Sequence, residues 1–352
     1  MEINSQFKVL DSIRFRTSTL KRLKMDSMDK SPDGLTIGEG RVNKPFKIQN
    51  NLFLPPHLTR KLDRETFLGV SLGSCLAGGN MNLHGPLSSD AKELVRINSA
   101  PLILDLVSSR NVISNEMLHE CSMVWIEIGG NEFPFRIDSP SDDTGIPPEI
   151  EEPKDLIHLV SMFKEMLEVP VVLSIRGMDI DKDMDNILVT PADAVHISCG
   201  FDVDRGSSPA SKGLTSEPVT SVVEALKHME VFRSAEKGVK ILLSGPIRGS
   251  TDIMKLKAMG VDGFGPDMII EDLIRNELTS ANGEPDWALI GEKVEERLGS
   301  IIEGIETDLK ILGLGSMNEI KRDILAVDNY HAAALTGLPL SGYGMEIPFW
   351  RH

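Results

Sequence analysis

Two turns, SGPIRGS (Ser244–Ser250) and GFGPD (Gly263–Asp267), each follow an apolar strand-like run, and both are rich in glycine. Glycine lets main-chain N–H groups come close to an anion. A helix starting after such a turn adds unpaired donors and a dipole worth about 0.3–1 kcal/mol. The chemistry this predicts is the gripping of a phosphate by Ser244, Gly245, Gly263, Phe264 and Gly265. Two tight turns with no ligand explain the glycines equally well.

Other residue types invite chemistry more weakly. Asp105, Glu127 and Asp202 fall at or near strand ends, where a carboxylate serves as acid, base or hydrogen-bond partner, or simply as a cap or ion-pair member. His196 sits inside a strand pattern and reads as a packed histidine rather than a catalytic one. The DSPSDD run (Asp138–Asp143) lacks the spacing of a calcium loop and reads as a solvated acidic loop. Cys75, Cys121 and Cys199 are far apart and odd in number, which predicts reduced thiols and neither a disulfide framework nor a metal site.

The elements that must carry these residues alternate. Strand-like runs are FLGVSLG (Phe67–Gly73), PLILDLV (Pro101–Val107), MVWIEIG (Met123–Gly129), PVVLSI (Pro170–Ile175), DAVHIS (Asp193–Ser198), VKILLS (Val239–Ser244) and VDGFG (Val261–Gly265). Amphipathic helical patterns fall between them, as in KDLIHLVSMFKEMLE. Apolar strands alternating with helices predict a parallel sheet, either open or closed. Seven visible strands favour an α/β fold of the (β/α)8 TIM-barrel type with one strand hidden between Cys75 and Asn98. In such a barrel the turns after the last strands commonly bind phosphate. Behind it, Ile290, Val294, Leu298, Ile301, Ile305, Leu309 and Leu312 form one helical stripe. The stripe reads as a helix packed on the barrel wall, the alternative being a seam between two copies of the chain in a homo-oligomer. The division expected is an N-terminal arm and lead-in over 1–60, a barrel over 61–280 and a C-terminal helical extension over 281–352.

Composition limits the partners. A formal net charge of -16 opposes general affinity for nucleic acid or anionic membrane. No run of uncharged apolar residues is long enough to span a bilayer and the N-terminus lacks the apolar core of a signal peptide, so a cytoplasmic protein is expected.

The Val239–Asp267 stretch resembles the FMN-phosphate region of the glutamate synthase FMN-binding domain. In the same order, VSLGS (Val70–Ser74) is similar to that family's first barrel strand and IEIGG (Ile126–Gly130) to its mid-barrel strand. The segment Ile146–Ile175, the ISCGFDVDRGSSPAS run (Ile197–Ser211) and the tail from Asp308 to Gly342 extend the similarity. The resemblance implies an FMN-linked barrel and an oxidoreductase of nitrogen metabolism acting on a small 2-oxoglutarate-like or amino-acid-like substrate. It puts Ser71, Gly73 and Ser74 near the flavin ring and Ser198 among the cofactor-binding residues, with Glu127 and Ser174 at catalytic positions. Ser174 stands where the family has a flavin-contacting lysine, and Arg176 is the substitute cation. Pro246 removes a donor from the phosphate turn, and no cysteine follows Cys199 to supply the family's iron–sulfur cluster. Electrons must then come from an external donor or partner protein, and ammonia, with no amidotransferase domain, from a partner. Two further readings stay open: a degenerate barrel that is a non-redox partner subunit or binds another phosphorylated ligand, and a different FMN-barrel chemistry such as hydroxy-acid oxidation or isomerisation. The Gly206–Gly213 loop reads as a lid over the barrel mouth.

Overall fold

The computed structural model describes residues 8–16, 34–60, 62–106, 112–128, 136–137, 153–176, 180–199, 218–233, 238–275 and 286–342. Seven strands form a parallel sheet whose spatial order follows the chain: β1 (Met81–Leu83), β2 (Leu102–Leu106), β3 (Met123–Glu127), β4 (Val171–Arg176), β5 (Ala194–Ser198), β6 (Lys240–Ser244) and β7 (Gly263–Gly265). Helix α1 (Arg64–Leu76) precedes β1. Helices α2 (Ser89–Asn98), α3 (Asn115–Glu120), α4 (Pro153–Leu167), α5 (Ile180–Leu188), α6 (Pro218–Arg233) and α7 (Ser250–Met259) fill the connections, and α8 (Asp267–Leu273) and α9 (Trp287–Leu312) follow β7. This is the alternation expected from the sequence.

Residues 51–54 join the two edges of the sheet. Phe53 N–H donates to Phe264 O at 2.9 Å and Phe264 N–H to Asn51 O at 2.8 Å, a parallel bridge to β7. On the β1 side, side-chain amides replace the ladder: Asn80 Oδ1 accepts from Leu54 N–H at 2.8 Å, and the Nδ2 groups of Asn80 and Asn82 donate to Leu54 O at 3.1 and 3.2 Å. The curled sheet thus closes through this segment.

Closure separates two cores. Inside lie Ile103, Met123, Trp125, Val172, Ala194 and Leu242 with Phe53, and the hairpin pairing Leu35–Ile37 with Phe46–Ile48 plugs this interior with Leu35, Ile37, Phe46 and Ile48. Between sheet and helices lies the larger core, which includes Phe163, Phe264 and Leu243. Both faces of every central strand are buried, so the strands read as continuous apolar runs. Because side chains alternate along a strand, Asp105, Glu127, Ser174, His196 and Ser244 share the inner face with the first set.

The expected strand Phe67–Gly73 is instead the middle of α1. Asp63 caps the helix by accepting from Thr66 N–H at 3.0 Å. Gly69 and Gly73 lie one helical turn apart where α1 crosses α9. A Cβ on Gly73 would come within 2.5 Å of Val294 Cβ, and one on Gly69 within 2.5 Å of Ile290 Cβ. Tertiary packing against α9 therefore requires the small residues that gave this segment its strand-and-turn look. The hidden strand is indeed between Cys75 and Asn98, as β1, and the edge-joining segment 51–54 lies in what the sequence suggested was lead-in. The α9 stripe is buried as expected, against α1 and α7.

Candidate functional site

Polar side chains collect at the C-terminal ends of the inner strand faces. The turn after residues 51–54 carries His57 and Arg60. Arg60 donates from Nε and Nη2 to the two oxygens of Asp105 at 2.6 and 2.7 Å, a bidentate pair, and from Nη1 to Glu127. His84, just past β1, donates from Nδ1 toward Asp105 Oδ2 at 3.1 Å and shares a hydrogen bond with Thr59 Oγ1 at 2.7 Å. Burial alone would raise the Asp105 carboxyl, but the bonds and charges of Arg60 and His84 outweigh it and hold the group below its ordinary value. Burial would likewise make Arg60 less basic, yet Asp105 and Glu127 drive it the other way, so it stays charged.

A second pair closes the other side of the mouth. His57 Nε2 and Asp267 Oδ2 lie 2.8 Å apart. Burial would lower the His57 imidazole, but the Asp267 charge and hydrogen bond outweigh it, with Glu127 assisting, and its pKa is raised. His196 behaves in the opposite way. It is fully buried, with its ring centroid 4.5 Å from Trp125 and 6.0 Å from His57. Burial first, and then the charges of His57 and Arg60, push it well below its ordinary value, so it is a neutral imidazole. Its Nδ1 shares a hydrogen bond with Ser174 Oγ at 2.8 Å. Three buried polar atoms near this region lack a partner among the described residues: His196 Nε2, Ser244 Oγ and Asp267 Oδ1. Trp125 Nε1, inside the barrel, is a fourth.

The sequence-predicted site residues divide. Glu127, Ser174 and Ser244 come together at the mouth, and Ser198 stands opposite Ser244 and Arg176 in register. The strand does reach Arg176, though its side chain lies outside the described residues, as do Gly130, Asp138–Asp143, Asp202, Arg205 and Gly206–Gly213. Ser71, Gly73 and Ser74 need correction. They belong to α1, outside the sheet, where Gly73 meets α9 and Ser74 Oγ donates to Asn80 O at 2.8 Å, so they cannot line the mouth.

The glycine turns are closely packed. A Cβ on Gly263 would come within 2.7 Å of Leu35 Cδ2 and 2.8 Å of Leu242 Cδ2, so this glycine is fitted to the barrel core. Phe264 faces the opposite core, between sheet and helices. Gly265 abuts Pro55 and Ser244, a Cβ there falling 2.4 Å from Pro55 Cγ. Gly245 takes a φ of 139°, a value side chains rarely adopt, and its N–H turns to Gly265 O at 3.4 Å. Of the five main-chain amides expected in the cradle, that of Gly245 is turned to Gly265 O and that of Phe264 to Asn51 O.

Sequence reasoning missed His57, Arg60, His84 and Asp267. The available signal was position, since His57 and Arg60 follow the apolar run NLFLPP, and His84 follows MNL as Asp267 follows GFG. The first two runs were not read as strands. The cysteines are buried as structural thiols, and burial pushes Cys75 and Cys121 up to about 12.

No family model and no curated protein matches the sequence. Solved structures do match the fold. A mandelate oxidase variant is 13% identical with a TM-score of 0.57, covering 90% of this chain and 88% of its own. A soluble mutant of the membrane-associated (S)-mandelate dehydrogenase from Pseudomonas putida is 16% identical with a TM-score of 0.56, covering 92% and 89%. A flavocytochrome b2 mutant with pyruvate bound is 14% identical with a TM-score of 0.56, covering 92% and 78%. The α/β barrel is thus the fold of these proteins. The glutamate synthase-like function expected from the sequence is corrected by the same finding, since the structures matched are a mandelate oxidase, a mandelate dehydrogenase and a flavocytochrome b2. Among the described residues no helix is long and apolar enough to cross a membrane.

Proposed function

We propose that this chain is an FMN-dependent oxidoreductase that converts a small 2-hydroxy acid to the oxo acid at the C-terminal mouth of its barrel. The observation that carries the reading is the His57–Asp267 pair standing beside Arg60 at that mouth. Oxidation of a hydroxy acid calls for a base to take the hydroxyl proton, a cation to orient the carboxylate and an acceptor for two electrons. The fold shared with mandelate- and flavin-named proteins supplies the choice of acceptor.

The residues fit a flavin at one end. Ser244 Oγ and His196 Nε2, buried without partners, are groups that a ring edge or ribityl hydroxyl would satisfy, with Ser198 beside them. FMN, when bound, accepts the hydride equivalent that leaves the substrate carbon. The chain's own residues do the rest. Asp267 accepts from His57 Nε2–H, which fixes the tautomer and leaves Nδ1 to take the hydroxyl proton. Three of the five N–H groups of Arg60 go to Asp105 and Glu127, and the two others on its Nη atoms are the donors for the substrate carboxylate. Asp105 and Glu127 fix the plane of that fork.

The test is to incubate purified protein with FMN and a panel of 2-hydroxy acids and follow bleaching of the flavin band. Bleaching by one of them, lost in His57→Gln, is expected. A folded protein that takes up no flavin and oxidises no member of the panel would overturn the reading.

A further inference from the structure

Resting on the flavin reading above, we infer that His196 takes up one proton from solvent when the flavin is reduced, so that the barrel wall itself gains the charge that balances the reduced ring. His196 lies on the inner face of β5, in one row with Ser174 of β4, Glu127 of β3 and Leu242 of β6. Its ring is fully buried among other rings, with centroids 4.5 Å from Trp125, 5.8 Å from Phe53 and 6.0 Å from His57. Nδ1 is tied to Ser174 Oγ at 2.8 Å, while Nε2 is buried with no partner among the described residues. One nitrogen is thus anchored and the other is left for a ligand. A charged imidazole donates from both, which Ser174 Oγ and a flavin acceptor would satisfy together.

The surrounding charges explain why the proton waits for reduction. Burial first, then His57 and Arg60, keep His196 neutral. Those two cations are themselves paired, Arg60 with Asp105 and Glu127 and His57 with Asp267. His84 lies against Asp105, and Glu271 stands one turn along α8 from Asp267. A hydride equivalent leaves the flavin ring with one added negative charge. In the site as read above, that charge arrives beside Nε2, where at about 4 Å it raises the proton affinity of the imidazole about a thousandfold. Each pair of electrons then brings in two protons, one on the ring and one on His196. The substrate's hydroxyl proton goes separately to His57.

The experiment reconstitutes the full-length chain with FMN and measures its reduction potential between about pH 6 and 8, recording the absorption band of the reduced form. A tenfold change in proton concentration moves a two-electron potential by about 30 mV for each proton taken up. A slope of about 60 mV per pH unit with an anionic reduced band is expected, falling to about 30 mV in His196→Gln. Nitrogen NMR of the histidine-labelled wild type, which depends on no variant folding, is expected to show one imidazole passing from neutral to charged on reduction. A wild-type slope of about 30 mV, as a permanent cation such as Arg176 would give, overturns this inference while leaving the flavin reading intact. So does a neutral reduced band, or a slope that His196→Gln leaves unchanged. Failure of the chain to take up FMN overturns the flavin reading, and this inference with it.

Discussion

Arg60 stays charged in a largely closed mouth because Asp105 meets it with two oxygens and Glu127 with a third contact. Removing one member of such a buried pair strands the other. Asp105→Ala is expected to lower the unfolding free energy by about 3–5 kcal/mol, measured by denaturant titration. The pH dependence follows from two opposite shifts. The Asp105 carboxyl is lowered on folding, so its contribution is present above the unfolded value of about 3.9 and is lost as pH falls through the folded value. The His57 imidazole is raised, so its contribution is complete below about 6.5 and is lost as pH rises through its folded value. These groups together place greatest stability between about pH 4 and 6.5, and a melting midpoint that climbs steadily from neutral to alkaline pH would contradict the assignment. Catalysis should run against this trend. If His57 takes the substrate proton, kcat/KM rises with pH through the raised His57 value, and His57→Gln lowers it by about 10²- to 10⁴-fold without loss of flavin uptake.

Between elements, the decisive contact is α1 against α9. Gly73 meets Val294 and the Gly291 carbonyl so closely that even one methyl group must push the helices apart. Gly73→Val is expected to destabilise the fold by about 1–3 kcal/mol while flavin affinity in the folded fraction stays unchanged. Calorimetry and a flavin titration on one sample separate the two effects. Had Gly73 lined the mouth, as its sequence context suggested, affinity would fall first. Gly263 and Gly265 likewise admit Leu35 and Pro55 at distances no side chain there would allow.

Across the whole molecule, closure of the sheet rests on a main-chain bridge at Phe264 and a side-chain substitute at Asn80 and Asn82. Asn80→Leu leaves Leu54 N–H buried without its acceptor, at a cost of about 1–3 kcal/mol, and hydrogen exchange at Leu54 should speed up before that of the central strand β4. Normal protection of Leu54 in that variant would show that the segment is held by other means. The alternation of apolar strands with amphipathic helices was legible in the sequence, because a strand buried on both faces must be apolar throughout and the α9 stripe must repeat at the helical period. The barrel class followed from that alternation, Glu127 and Ser244 from their places at strand ends, and Ser174 only from the resemblance to a known family. What sequence alone left undetermined was every feature that depends on contacts between distant segments: that Gly69 and Gly73 belong to a helix crossing, that residues 51–54 join the edges of the sheet, and that His57 meets Asp267. A glycine looks the same along the chain whether it admits a phosphate, a proline ring or a neighbouring helix. Only packing in three dimensions decides which of these approaches it.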